Sequence, residues 1–216
     1  MPIAGVIFDL DGVLIHSAKA HYQSWRALVA EHGLDVTEER FLRTFGRQNR
    51  DIIPLLWGCE LAPQTVDQLG ERKEALYRDI VRGRIPLAQG AADLVRDCAA
   101  CGMKLAIGSS THPANIELTL AETGLGDYFA ATVSDDDVTK GKPNPEVFEI
   151  AANRLGLPPR SCVVVEDAPA GVEAALAAGC AAVGVTTHHS RDALSAADRV
   201  VDSLTELSAE SLRELR

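Results

Sequence analysis

The chain has 216 residues, of which 46% are hydrophobic and 5% aromatic, which is enough apolar material to bury a core without metal sites or disulfides. Its formal net charge of -10 and its pI near 5.0 argue against nucleic acid or an anionic membrane surface as a partner, because both would be repelled at long range. Five cysteines without regular spacing disfavour a disulfide framework.

The sequence shows no sign of a membrane segment or a signal peptide. No apolar run approaches the roughly 20 residues that span a bilayer. Residues 1–14 contain two aspartates where a signal peptide would be apolar. We therefore expect a cytoplasmic protein. The sequence indicates no oligomeric state, and a monomer is compatible with it.

Short apolar runs rich in β-branched residues predict buried strands, and helical patterns lie between most of them. The strands are predicted at residues 5–8, 104–107, 131–133, 162–165, 181–185 and 199–201. The intervening helices are predicted at residues 91–101, 115–122, 145–155 and 168–178. This alternation predicts an α/β fold with a parallel sheet.

The segment between the first two strands breaks the alternation. It contains four consecutive helical patterns, at residues 18–32, 38–44, 49–57 and 63–81, and no convincing strand. We predict a helical insertion at residues 17–84 and a core formed by residues 1–16 and 85–216. Because the insertion is joined to the core by two linkers, it has the form of a hinged lid.

Polar residues follow the strands at the points where the strands end. Asp9 and Asp11 follow the first strand, Ser109 and Ser110 the second, and Glu166-Asp167 the strand at 162–165. Lys142 lies in a loop before a predicted helix. Ligands of open parallel sheets bind beyond the carboxyl ends of the strands, so these side chains are expected to meet at one site.

Carboxylates, hydroxyls and a lysine together suit phosphoryl transfer. Oxygen ligands without a His or Cys cluster select a hard cation, and Mg²⁺ commonly binds one or two carboxylates and substrate phosphate oxygens. Lys142 and the Ser109 hydroxyl would neutralise phosphate oxygens. Asp9 is a competent nucleophile toward phosphorus, and Asp11 could protonate the leaving oxygen and later activate water.

These residues, in this order and after these strands, resemble the haloacid dehalogenase-like phosphatase superfamily. The match begins with Asp-Leu-Asp-Gly-Val-Leu at residues 9–14 and continues through Ser109, Lys142 and Glu166-Asp167. The resemblance implies a Rossmann-like core with a mobile helical cap. It also implies that Asp9 is the nucleophile, that Asp11 is the general acid and base, and that Ser109 and Lys142 hold the phosphoryl group.

The resemblance further implies the metal ligands. Mg²⁺ would be bound by Asp9, the backbone carbonyl of Asp11, and Asp167. Glu166 would be a further ligand or a neighbour of one.

Within the superfamily, the chain is similar to the β-phosphoglucomutase and sugar-phosphate phosphatase subgroup. Its substrate-facing positions in the cap correspond here to His21, Trp25, Gly46-Arg47 and Arg72-Lys73, with Lys73 able to meet a second phosphate. Two departures stand out. His16 replaces the usual aspartate at the hinge, and the mutase's cap arginine has no clear match, although Arg47 or Arg50 is close to its position.

Each of these residues also has a structural alternative. The aspartates and Glu166-Asp167 could form turns or helix caps, Ser109 or Thr111 could cap the next helix, and Lys142 could be solvated. His21 and Trp25 could pack, and Lys73 could lie on an exposed helix face. His188 and His189 look like a surface loop and receive no role.

Three functions remain open at this point. The first is a phosphatase for small phosphorylated metabolites such as sugar phosphates, in which water resolves an aspartyl-phosphate. The second is a β-phosphoglucomutase, in which a sugar accepts the phosphoryl group. The third is a catalytically silent phosphate-binding or partner-binding protein.

Overall fold

A computed structural model describes residues 2–44 and 47–215. The chain divides into two compact units. The sheet unit consists of the residues up to 16 and from 87 onwards, and the helical unit consists of residues 17–86. The second boundary lies two residues after the predicted one. All five cysteines are free thiols.

The sheet unit is built on one six-stranded parallel sheet, which confirms the predicted fold class. Its strands are β1 (Gly5–Phe8), β2 (Lys104–Gly108), β3 (Phe129–Val133), β4 (Cys162–Glu166), β5 (Ala181–Val185) and β6 (Arg199–Val201). They are arranged in the order β3-β2-β1-β4-β5-β6. The chain thus adds strands on one side of β1 and then on the other, and the switch point lies between β1 and β4.

Among the described residues, five helices accompany this sheet; the first four precede or link its strands, and the last follows β6. They are α5 (Ala91–Ala100), α6 (Pro113–Thr123), α7 (Glu146–Arg154), α8 (Pro169–Ala178) and α9 (Ala209–Arg213), numbered after the four helices of the other unit. Proline at the first helical position starts α6 and α8, and Gly179 in a left-handed conformation ends α8. Apolar faces of α7 and α8 pack on the sheet and form a hydrophobic core with its strands.

The helical unit consists of α1 (Ala18–Glu31), α2 (Glu38–Leu42), α3 (Asn49–Trp57) and α4 (Pro63–Val81), and no described residue within it forms a strand. Its hydrophobic core gathers apolar side chains from α1, α2, α3 and α4, among them Trp25, Leu28, Phe41, Ile53 and Leu69. Gly46, one of the expected substrate-facing positions, lies outside the described residues.

The ends of the helical insertion meet on the sheet unit. Ile15 and Leu87 form an isolated antiparallel bridge, and the Ala88 amide donates to the Leu14 carbonyl at 2.9 Å. The chain therefore leaves and re-enters this unit at neighbouring points.

Within the described ranges, no helix is long and apolar enough to cross a bilayer.

Candidate active site

The strand register brings the predicted acids to one level of the sheet. Phe8 of β1 lies opposite Ile107 of β2 and Val165 of β4, so Asp9 is flanked by the residues that end both neighbours. The Asp9 amide continues the ladder by donating to the Val165 carbonyl at 3.0 Å. Asp9 thus lies at the switch point, where ligands of open parallel sheets bind.

Lys142 joins the acids. Its Nζ donates to Asp9 Oδ1 at 2.7 Å and to Glu166 Oε1 at 2.6 Å, and it also donates to the Gly108 carbonyl at 3.3 Å. The side chains of Lys142, Asp9 and Glu166 are only 7%, 9% and 2% exposed. This burial rules out a solvated loop lysine. A buried lysine between two carboxylates is instead a fixed positive charge beside the expected nucleophile.

Two glycines leave the space that the other acids occupy. A Cβ on Gly12 would lie 2.1 Å from Asp167 Oδ2, and Gly12 also has a positive φ of 86°. A Cβ on Gly171 would lie 1.9 Å from Glu166 Oε1. Any larger residue at either position would push a carboxylate out of place. The glycine of the Asp-Leu-Asp-Gly run is therefore part of the site.

Hydroxyl groups connect the β2 loop to Asp11. Thr111 Oγ1 donates to Asp11 Oδ2, and Ser109 Oγ lies 2.9 Å from Thr111 Oγ1. Neither hydroxyl caps α6, because the N-cap residue is His112, whose ring nitrogen accepts from the Ala114 amide. The capping alternative for Ser109 and Thr111 is therefore wrong. Ser110, which follows Ser109 after the second strand, is half-buried in the same loop, and its contact with substrate stays a prediction.

His188 belongs to the site, although the sequence assigned it no role. Its Nδ1 lies 2.7 Å from Asp167 Oδ2, and its side chain is 21% exposed. It follows β5 by three residues, at the same edge of the sheet as the acids. Its position in the sequence gives only a weak signal, because it lies beyond the strand end in a loop whose path the sequence does not predict.

Crowding of acids changes their pKa values. Burial raises the pKa of Asp9 to about 8; the Lys142 charge opposes this shift, and Glu166 and Asp167 add to it. Burial also raises the pKa of Asp167, against the hydrogen bond from His188. For Lys142, burial acts against the charged form, but Asp9 and Glu166 outweigh it and raise the pKa.

This donor set fits a hard divalent cation. Asp9, Glu166 and Asp167 each offer an oxygen, and these three atoms lie within 4.8 Å of one another. One lysine faces three carboxyl groups, so a cation would relieve their repulsion and favour the ionised form of Asp9. Oxygen donors alone are typical of Mg²⁺ rather than of zinc or copper.

The expected substrate-facing residues His21, Trp25 and Lys73 belong to the helical unit. Four polar and aromatic side chains contact Lys73 there. Lys73 Nζ lies 2.7 Å from His21 Nδ1 and 2.8 Å from Glu74 Oε1, and above the rings of Trp25 and Tyr77. It is buried, so the exposed-face alternative for Lys73 is wrong.

Trp25 and Arg47 lie in contrasting environments. Trp25 is part of the hydrophobic core of the helical unit, as the packing alternative expects, and its contact with substrate stays a prediction. Arg47 is exposed. Contact of His21, Lys73 and Arg47 with substrate stays a prediction.

Comparisons with known proteins extend over both units. A family model described as haloacid dehalogenase-like hydrolase matches residues 3–179. Protein CbbY of Rhodobacter capsulatus is 32% identical over 230 residues, covering 100% of each chain. The fructose-1-phosphate phosphatase of Escherichia coli (strain K12) is 32% identical over 84% of this chain and 96% of its own. A solved β-phosphoglucomutase from Clostridium difficile is similar to this chain with a TM-score of 0.87 and 27% sequence identity. The match covers 98% of this chain and 96% of the mutase chain.

Proposed function

Because the chain belongs to the haloacid dehalogenase-like hydrolase family, we propose that it is a Mg²⁺-dependent phosphatase of small phosphorylated metabolites. Family membership confirms the resemblance carried by the motifs at the sheet edge. Sugar phosphates are the expected substrates, in line with the name of the fructose-1-phosphate phosphatase to which the chain is similar. We place the protein in the cytoplasm.

The observation that carries this proposal is the contact of Asp9 with Lys142 at the sheet switch point. Asp9 Oδ attacks phosphorus while the bond from phosphorus to the ester oxygen breaks. Lys142 and Ser109 neutralise the phosphoryl oxygens as charge moves toward the leaving group. Asp11 gives its proton to the departing oxygen, and later takes one from the water that attacks the aspartyl-phosphate.

The metal site follows from the same residues. Asp9, Asp167 and the backbone carbonyl of Asp11 would hold Mg²⁺, with Glu166 as a further ligand or a neighbour. When bound, the ion supplies positive charge for the phosphoryl oxygens and for the crowded carboxylates.

A β-phosphoglucomutase is the second candidate, and the likeness to the solved mutase favours it. In that case a sugar hydroxyl, rather than water, accepts the phosphoryl group. The two activities differ in whether water is excluded while the aspartyl-phosphate exists.

A panel of phosphate esters that includes β-glucose 1-phosphate and fructose 1-phosphate tests the proposal. Free phosphate and glucose 6-phosphate are both followed, with Mg²⁺ and after its removal by a chelator. We expect free phosphate, and only with Mg²⁺. Glucose 6-phosphate without phosphate release would show the mutase instead, and no turnover of any ester would contradict both activities.

Asp9→Asn tests the nucleophile. The amide cannot form the aspartyl-phosphate, so we expect turnover to fall by at least about a thousandfold. Circular dichroism and thermal unfolding should show an intact fold. Activity close to that of the wild type in a folded variant would remove Asp9 from this role.

A further inference from the structure

Thr111 links the expected phosphoryl-binding serine to the expected general acid. Its hydroxyl donates to Asp11 Oδ2 and lies 2.9 Å from Ser109 Oγ. Thr111 and Ser109 are both buried, with 7% and 2% exposure. We propose that Thr111 is a positioning residue that aims the carboxyl group of Asp11 at the leaving oxygen of the phosphate ester.

The backbone fixes the place from which Thr111 acts. Its carbonyl accepts the Asp135 amide at 3.2 Å, and the nearby Ser109 amide donates to the Val133 carbonyl at 3.0 Å. Both bonds tie the β2 loop to β3 and to the turn after β3. The hydroxyl is not used to cap α6, since His112 does that. The side chain is thus held at Asp11 by a loop whose own hydrogen bonds are satisfied elsewhere.

The single proton of the Thr111 hydroxyl constrains the Asp11 carboxyl group. A threonine hydroxyl carries one proton. Because Thr111 gives that proton to Oδ2, the Ser109 hydroxyl must be the donor in the bond between the two hydroxyls. The carbonyl oxygen of a carboxylic acid is its better acceptor, so a bond donated to Oδ2 favours the acid form of Asp11 that carries its proton on the other oxygen, Oδ1. One carboxyl orientation is thereby selected.

The same bond serves both steps of the proposed reaction. In the first, Asp11 Oδ1 loses its proton to the departing oxygen as the P–O ester bond breaks and Asp9 bonds to phosphorus. The resulting carboxylate is still bonded by Thr111 at Oδ2. In the second, Oδ1 takes a proton from water, whose oxygen bonds to phosphorus as the bond to Asp9 breaks. Ser109 can turn its proton to a phosphoryl oxygen meanwhile, because Thr111 does not depend on it.

The effect of a Thr111 substitution on kcat/KM should therefore depend on how much the leaving group needs a proton. A sugar alkoxide needs one, whereas the p-nitrophenolate ion leaves without it. General acid catalysis contributes typically about 10²–10⁴-fold. For Thr111→Val we expect kcat/KM to fall by about 10- to 100-fold with fructose 1-phosphate, and by less than about threefold with p-nitrophenyl phosphate. Inhibition by inorganic phosphate should keep its constant.

Thr111→Ser keeps the hydroxyl and should restore most of the lost activity. Thr123→Val is the matched control, because Thr123 is in α6 and its hydroxyl bonds only to the Thr119 carbonyl at 2.6 Å among the bonds described. Both substrates are measured on one preparation, so the ratio of their kcat/KM values does not depend on the folded fraction. A Thr111→Val sample that unfolds partly therefore still answers the question.

The outcomes separate this inference from the proposed function on which it rests. A selective loss with the sugar phosphate, restored by serine, supports the positioning role. An equal loss with both esters, or no loss with either, overturns it while the phosphatase activity stands. A wild-type protein that hydrolyses neither ester contradicts the proposed function itself.

Discussion

Two residues determine the position of the Asp167 carboxylate. Gly12 leaves the space that it occupies, and the ring of His188 forms a hydrogen bond with it. The hydrogen bond from His188 counteracts the rise in the Asp167 pKa that burial causes. It therefore favours the ionised carboxylate, which is the form that binds a cation. Residues that orient a metal ligand in this way typically contribute about 10- to 100-fold to metal affinity.

From this we predict that His188→Leu weakens Mg²⁺ binding by about 10- to 100-fold. Isothermal titration with Mg²⁺, in the absence of substrate, measures it directly. His188→Asn should lose less, because its amide nitrogen can replace Nδ1. The exposed neighbour provides the control, and His189→Leu should leave the affinity unchanged. An unchanged affinity in His188→Leu would show that Asp167 needs no such support.

The residues of the site differ in how far a sequence can predict them. Asp9, Asp11 and Glu166-Asp167 lie at or just beyond the ends of apolar strands, so the rule that ligands bind at the carboxyl ends of parallel strands is enough to locate them. Lys142 follows no strand, but it precedes a proline and the start of a helix, and this local pattern indicates it. His188 has neither signal, since its contact depends on how the loop after β5 folds back. The bond of Thr111 to Asp11 joins residues 100 positions apart, and no local pattern predicts it.

At the scale of elements, α4 brings an ion pair into the interior of the helical unit. The Lys73 and Glu74 side chains are 3% and 5% exposed, and Asn49 of α3 donates to the same Glu74 oxygen at 2.7 Å. Burial opposes ionisation of Glu74, but Lys73, His21 and Asn49 outweigh it and lower the pKa from 4.5 to about 2. The charge of Lys73 is thus compensated within its own unit.

Glu74→Gln should destabilise the protein by about 3 kcal/mol at neutral pH, because it leaves the Lys73 charge buried without its carboxylate. Since the folded pKa lies below the unfolded one, this stabilisation is present above about pH 4.5 and is lost as the pH falls toward 2. Urea unfolding at pH 7 and pH 3 should show a smaller difference between wild type and variant at pH 3.

The control for this comparison is Asp67→Asn, which removes an exposed carboxylate from the same helix. We expect it to change the free energy of unfolding by less than about 0.5 kcal/mol. A Glu74→Gln effect of similar size would mean that the buried pair contributes no stability.

The bounds of a helix or strand are predicted to the residue where the sequence marks both of its ends. The sequence predicts β1, β5, α3 and α4 with the bounds that the structure has, because glycine, proline or a change in periodicity marks their ends. Helix α9 is not predicted, since five residues are too few to show a helical period. The sequence also does not fix which side of β1 each later strand joins, because that depends on packing between distant segments.

At the scale of the whole molecule, the residues proposed for phosphoryl transfer all belong to the sheet unit, although the helical insertion separates them in sequence. The ends of that insertion meet at the Ile15–Leu87 bridge. We therefore predict that a variant with residues 17–86 replaced by a short Gly-Ser linker still folds and hydrolyses p-nitrophenyl phosphate within about tenfold of wild type.

The same variant should lose the preference among sugar phosphates. Circular dichroism, thermal unfolding and kcat/KM values on the ester panel measure these properties together. A folded variant without activity toward p-nitrophenyl phosphate would show that the helical unit takes part in the chemistry itself. Retention of the full substrate preference would show that the sheet unit sets specificity alone.

The bridge between Ile15 and Leu87 also has a thermodynamic consequence. An insertion that begins and ends at paired residues is a closed loop for the rest of the chain, and the entropy of closing a loop grows only with the logarithm of its length. Each doubling of that length costs about 0.6 kcal/mol. Helical insertions of quite different sizes can therefore be accommodated between β1 and β2 with little loss of stability, so new specificities can evolve on an unchanged catalytic framework.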